Sequence, residues 1–102
     1  MRLEVGDISV CLTPKQASLL EMLITQPGRA FSDTSILKHV WEESAYANSS
    51  DVKQQIYLIR KRLRSAGLDA AAILTTVPGV GYKLVITRND GTVDALSTDH
   101  PH

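Results

Sequence analysis

Three observations predict a small α+β domain built from a hairpin, three helices and a second hairpin. Apolar and polar residues alternate on either side of Gly6-Asp7 between Arg2 and Leu12, which is the period of paired strands. Three stretches with helical apolar spacing follow between Thr13 and Gly67. Ile73–Val77 and Tyr82–Ile86 then flank Pro78-Gly79-Val80-Gly81, which reads as a hairpin directly after the last helix. Two helices joined by a loop and followed by such a hairpin make a winged helix-turn-helix.

The elements can be justified in order. Thr13-Pro14-Lys15-Gln16 is a helix start: Thr13 caps, Pro14 suits the first helical position, and Gln16 can bond back to the cap. Ala17, Leu20, Leu23 and Ile24 form the core stripe of this helix, and Pro27-Gly28 ends it. Ala30-Phe31 is long enough only for a bridging strand. Ser32 or Asp33 caps a second helix with Ile36, Leu37, Val40 and Trp41 inward. Glu42–Ser50 is a polar loop. Asp51 begins the third helix, expected over about 51–65, with Ser49 or Ser50 as its cap and Gly67 closing it.

The 102 residues suffice for one domain, expected over 1–86. Residues 87–102 are polar and aperiodic and are expected to form a disordered tail or linker. No apolar run approaches the ~20 residues of a membrane span, and no apolar signal segment opens the chain. Cys11 is the single cysteine. Its setting between Val10 and Leu12 suggests a buried, inert thiol in a reducing compartment, so a cytoplasmic location is expected.

Formal net charge is zero, but the charge is unevenly placed. Residues 52–64 hold five basic side chains and no acid, whereas residues 1–51 hold four basic and seven acidic ones. A neutral chain with its positive charge gathered in one helix can still present an anion-binding surface.

In that helix Val52, Ile56, Ile59 and Leu63 recur at helical spacing. With Val52 at zero and about 100° per residue, Ile56, Ile59 and Leu63 fall within roughly 40° of it and make a buried face. Arg60, Lys53, Arg64, Tyr57, Lys61 and Gln54 fall between about 80° and 200° on the same wheel. Such a face suits nucleic acid. Residues near the helix N-terminus read bases, which selects Lys53, Gln54 and Tyr57. Arg60, Lys61 and Arg64 are expected to hold phosphates. The hairpin beside the helix can reach an adjacent minor groove, with Thr75, Thr76 and Lys83 as phosphate contacts and Pro78, Gly79 and Gly81 shaping its turn.

Other chemistries find little support. His39, His100 and His102 are the only histidines, and no Cys–His or carboxylate set has the spacing of metal ligands. Gly79-Val80-Gly81 opens no helix and is not a phosphate loop. No enzyme, cofactor, metal or small-molecule substrate is expected. The competing reading is a winged-helix protein-interaction module that does not touch DNA.

The motifs LTPKQASLLEMLITQPGRAFS (Leu12–Ser32), ILKHVW (Ile36–Trp41), IYLIRKRL (Ile56–Leu63) and TTVPGVGYKL (Thr75–Leu84) resemble, in order, the C-terminal DNA-binding domain of OmpR/PhoB-type response regulators. They are similar also to the N-terminal domains of ToxR/CadC-type transcription activators. The resemblance implies a winged helix that binds double-stranded promoter DNA, often as head-to-tail pairs on direct repeats. It implies that the loop carrying Glu42, Glu43, Tyr46 and Asn48 meets RNA polymerase, and that Ser50 lies at a phosphate-contact position. Ser50 and Pro78 stand where response regulators commonly carry arginines, and in this the chain is more similar to the ToxR/CadC branch. The few residues before the first helix imply either a shortened N-terminal sheet or a trimmed chain. Were the natural chain longer, it could be the cytoplasmic domain of a membrane-anchored regulator.

Overall fold

The computed structural model of the protein describes residues 2–5, 7–85 and 97–99. Its elements run β1 (Arg2–Val5), β2 (Ile8–Cys11), α1 (Pro14–Ile24), β3 (Phe31–Ser32), α2 (Asp33–Val40), α3 (Ser49–Ser65), α4 (Ala70–Ile73), β4 (Leu74–Val77), β5 (Gly81–Leu84) and β6 (Ser97–Asp99).

Two antiparallel sheets flank the helices, one ordered β2-β1-β6 and the other β3-β5-β4. In the first, Leu3 faces Val10 across β1–β2 and both are buried, as is Val5. This is the expected N-terminal hairpin, with Gly6 of its turn outside the described residues. The same alternation that sends Val10 and Leu12 inward sends Cys11 outward, so its thiol is exposed rather than buried. β1 also pairs on its other edge, Leu3 opposite Thr98. Three residues of the segment expected to be a tail or linker therefore extend the sheet, because a two-stranded hairpin leaves β1 with an open row of backbone groups. The rest of that segment, and Ile86, lie outside the described residues.

The helix starts are made locally. At α1 the Gln16 amide donates to Thr13 Oγ1 at 3.2 Å, and Gln16 Oε1 accepts from the Thr13 amide at 3.1 Å. Both halves of the box form and Pro14 occupies the first turn. α2 is capped by Ser32, whose Oγ accepts from the Ser35 amide at 3.1 Å. α3 starts two residues earlier than its composition suggested. Its cap is Asn48, not Ser49 or Ser50: Asn48 Oδ1 accepts from the Ser50 amide at 2.8 Å, and Asp51 Oδ2 accepts from the Asn48 amide at 2.8 Å. After α3 the chain turns at Gly67 with φ +86°, the left-handed step that favours glycine. The single turn α4, capped by Asp69, was not legible as a helix and delays the second hairpin to Leu74.

The core gathers Ala17, Leu19, Leu20 and Leu23 of α1, Ile36 and Val40 of α2, and Val52, Ile56, Ile59 and Leu63 of α3, closed by Leu74, Tyr82 and Leu84 of the second hairpin. Ile24, Leu37 and Trp41 pack half-buried at its margin. β3 ties the hairpin to α2: Phe31 pairs with Tyr82 and Ser32 with Gly81. Gly81 is required by that approach, because a Cβ there would run into the Phe31 carbonyl.

Candidate nucleic-acid interface

α3 is held by its apolar side. Val52, Ile56, Ile59 and Leu63 are all buried, so the opposite side is turned to solvent along the whole helix. Lys53, Gln54, Tyr57, Lys61 and Arg64 are exposed there, and Tyr57 is 54% exposed despite its aromatic ring. No acid interrupts the row. Asp51, the acid next to it in sequence, bonds the Asn48 amide in the cap and lies in the first turn, where it complements the helix dipole. Ser50 is exposed in that same turn.

Arg60 departs from this row. It is half-buried, and its guanidinium turns to the hairpin. Nε and Nη2 donate to the Leu74 carbonyl at 2.9 and 2.8 Å, and Nη2 donates also to Thr76 Oγ1 at 2.8 Å. Thr76 thus accepts from α3 in place of standing free for phosphate. Thr75 donates its hydroxyl to the carbonyls of Ala71 and Ala72 at 2.9 and 3.2 Å. The three are therefore brought together with α3 and α4 through bonds within the fold. Lys83 lies across from Thr75 on β5 and is half-buried. Alternation puts this pair on the face opposite Tyr82 and Leu84.

Tyr82 is core, as an aromatic at the foot of a hairpin should be. Burial holds its phenol above the ordinary value, the Asp33 carboxylate adds to that, and the nearby Arg60 guanidinium opposes it. The hairpin tip is uncharged: Pro78 and Gly79 are exposed, Gly79 has φ +76°, and Val80 is 51% exposed. The Val80 amide closes the turn by donating to the Val77 carbonyl at 3.0 Å.

The loop between α2 and α3 exposes Glu42, Glu43 and Tyr46, the last 93% exposed. Its base is pinned by Lys15, whose Nζ donates to the Val40 carbonyl at 3.1 Å and lies 5.2 Å from the centre of the Trp41 ring. Asn48, expected as a loop contact, caps α3.

Two roles could have been read earlier. Asn48 and Asp51 have capping-box spacing, and Arg60, at about 80°, lies closer to the buried face than any other member of the polar row. The exposed Val80 had no comparable signal. Among the described residues no group of three metal-ligating side chains assembles, and no helix is long and apolar enough to cross a membrane.

Comparison with known proteins agrees with this architecture. The family described as "Transcriptional regulatory protein, C terminal" matches residues 7–84. Transcriptional regulatory protein SrrA of Staphylococcus aureus (strain NCTC 8325 / PS 47) is 36% identical over 89 residues, covering 87% of this chain and 37% of SrrA. The chain thus spans little more than a third of that relative. The DNA-binding domain of E. coli CadC superposes with a TM-score of 0.72 at 27% identity, over 84% of this chain and 79% of that one. The DNA-binding domain of the response regulator AdeR, solved in complex with an intercistronic region, gives 0.66 at 27% identity, over 76% of each chain. The chain belongs to the transcriptional regulatory protein C-terminal family, the OmpR/PhoB-type winged-helix DNA-binding domains.

Proposed function

We propose that this domain is the sequence-specific DNA-binding part of a transcription regulator, with α3 in the major groove and the β4–β5 hairpin as a wing at the adjacent minor groove. The observation that carries it is the exposed, acid-free row Lys53, Gln54, Tyr57, Lys61 and Arg64 on a helix whose other side is fully buried. Lys53, Gln54 and Tyr57 stand near the helix N-terminus, where base edges come within reach. Lys61, Arg64 and Ser50 suit phosphates above and below them, and Lys83 suits one beside the wing. The AdeR domain bound to an intercistronic region supports double-stranded DNA as the partner.

Three finer features belong to the same reading. Tyr46, nearly fully exposed on an acidic loop whose base is pinned by Lys15, suits contact with RNA polymerase. Head-to-tail pairing on direct repeats would compensate for a small interface with modest charge. Such a domain works in the cytoplasm, with residues 1–86 as the body of the folded unit and Ser97–Asp99 adding a third strand to its N-terminal sheet.

An amide-shift titration with a generic AT-rich duplex tests the reading, at low salt and again at about 0.2 M, where phosphate-driven binding weakens steeply. Shifts confined to residues 50–64 and 75–83 that fade with salt are expected. No shifts at low salt would overturn it in favour of a protein-interaction module. Charge reversal at Lys53 and Lys61 then separates the two: DNA binding collapses, whereas a protein docked on the Tyr46 loop is indifferent.

A further inference from the structure

We infer that Arg60 is a positioning residue for the wing: its guanidinium ties the first wing strand to the recognition helix, so that the two elements meet DNA as one body. The inference rests on the DNA-binding reading and assigns Arg60 a role other than phosphate contact.

The geometry is that of a fork. β4 is the outer strand of its sheet, with β5 on one side only. The Ile73 carbonyl accepts from the Val85 amide at 2.8 Å, so it points across the ladder towards the chain leaving β5. Successive carbonyls alternate along a strand, and the next one, that of Leu74, points the other way. There Arg60 takes it with two donors, at 2.9 and 2.8 Å, and reaches Thr76 with Nη2 at 2.8 Å. The two anchor points lie two residues apart on the strand that leads into the tip 78–80. A planar guanidinium can hold both at once, whereas a lysine ammonium is a single point on a flexible stem. Arg60 stands beside Ile59 and one turn from Ile56 and Leu63, all three buried on the same helix.

The consequence is mechanical. Without the fork, the open edge of β4 leans on α3 through packing alone, and the wing tip can swing relative to the row that reads bases. The spacing between major-groove and minor-groove contacts then ceases to be fixed.

Arg60→Met, Arg60→Lys and Thr76→Val test this with two readouts: wing amide exchange in the free protein, and the salt dependence of binding to a generic AT-rich duplex. Arg60→Met should raise exchange at the Val80 amide by about tenfold or more, as a locally opened segment does. It should weaken binding about three- to thirtyfold while leaving the slope of log K against log salt unchanged. Arg60→Lys, which keeps the charge but not the fork, should restore little of either. Thr76→Val should raise wing exchange more modestly, and it decides the matter should Arg60→Met fail to fold. Unchanged wing exchange in Thr76→Val and the foldable Arg60 variants overturns the inference. So does a slope reduced by about 0.9, the signature of one lost phosphate contact, with full recovery in Arg60→Lys. Failure of the unsubstituted domain to bind the duplex overturns the DNA reading instead, and the exchange readout still decides whether Arg60 holds the wing.

Discussion

Arg62 donates from Nη1 to the carbonyl of Cys11 at 2.9 Å, joining the last turns of α3 to the outer strand of the N-terminal sheet across 51 positions of sequence. Arg62 and Arg60 thus leave α3 on opposite sides, one towards each sheet. Together they hold the helix between its two flanking sheets, and both differ from the residues between them, whose charged ends face solvent. Of five basic residues that look alike in sequence, two are anchors and the other three, Lys53, Lys61 and Arg64, are exposed on the solvent side of α3.

Arg62→Ala should therefore act on stability and not on DNA affinity. Loss of one exposed bond to a charged donor costs about 1 kcal/mol, which lowers Tm by about 4–8 °C for a domain of this size. The salt slope of duplex binding should not change. A melting curve and a salt titration on the same sample check both, and a reduced slope at unchanged Tm would contradict the anchor role.

Lys53, Lys61 and Arg64 should behave in the opposite way. Each replaced singly by Ala should leave the denaturant midpoint almost unchanged, since exposed substitutions fall within about 0.5 kcal/mol. A residue that meets phosphate lowers the salt slope by about 0.9 and weakens all sequences alike. A residue that meets a base edge instead costs about 1–3 kcal/mol on the preferred site and relaxes preference there. Lys61 and Arg64 should follow the first pattern and Lys53 the second, read by binding to a panel of duplexes selected from a random pool.

The contrast between anchors and free cations shows where sequence reasoning stops. Periodicity resolved the buried quartet Val52, Ile56, Ile59 and Leu63, because burial of an apolar face is set within the helix itself. The Thr13–Gln16 box was legible for the same reason: its partners lie three residues apart. Arg60 and Arg62 were not, since their acceptors at Leu74 and Cys11 belong to strands brought near only by the tertiary fold. Leu19 was omitted from the expected α1 stripe yet is fully buried, because α1 is enclosed on more than one side. The pairing of β6 with β1 depends on the edge that β1 leaves open, and no local pattern in Ser97–Asp99 announces it.

Asn48→Ala should cost about 1 kcal/mol, the usual effect of losing a helix N-cap. Ser49→Ala and Ser50→Ala should cost much less, since neither side chain caps. Fraying would begin at the turn just before Lys53 and Gln54, so Asn48→Ala should also weaken duplex binding without altering the salt slope. Chemical denaturation of the three variants decides which residue is the cap. A Ser49 or Ser50 variant less stable than Asn48→Ala would show the cap to be misplaced.

Gly79 and Gly81 frame the exposed Val80, and alanine at each should fail for a different reason. At Gly79 the space is open, with nothing within 4 Å of an added Cβ, but φ is +76°. Alanine there meets only the intrinsic cost of the left-handed region, about 1–2 kcal/mol. At Gly81 φ is not positive, but the added Cβ would strike the Phe31 carbonyl oxygen and come within 2.8 Å of its carbon and 2.9 Å of Ser32 Cα. These are backbone atoms and cannot rotate aside. Relief requires β3 to move off β5, which breaks the Phe31–Tyr82 and Ser32–Gly81 pairs and disturbs Ser32, the cap of α2. The cost should reach about 3 kcal/mol or more, within the range of overpacking with backbone shift. Denaturant midpoints measure both, and amide exchange at Ser35 reports the α2 cap. Gly79→Ala should leave the Ser35 amide protected, whereas Gly81→Ala should expose it. A Gly81→Ala variant no less stable than Gly79→Ala would mean that β3 yields freely and does not couple the wing to α2.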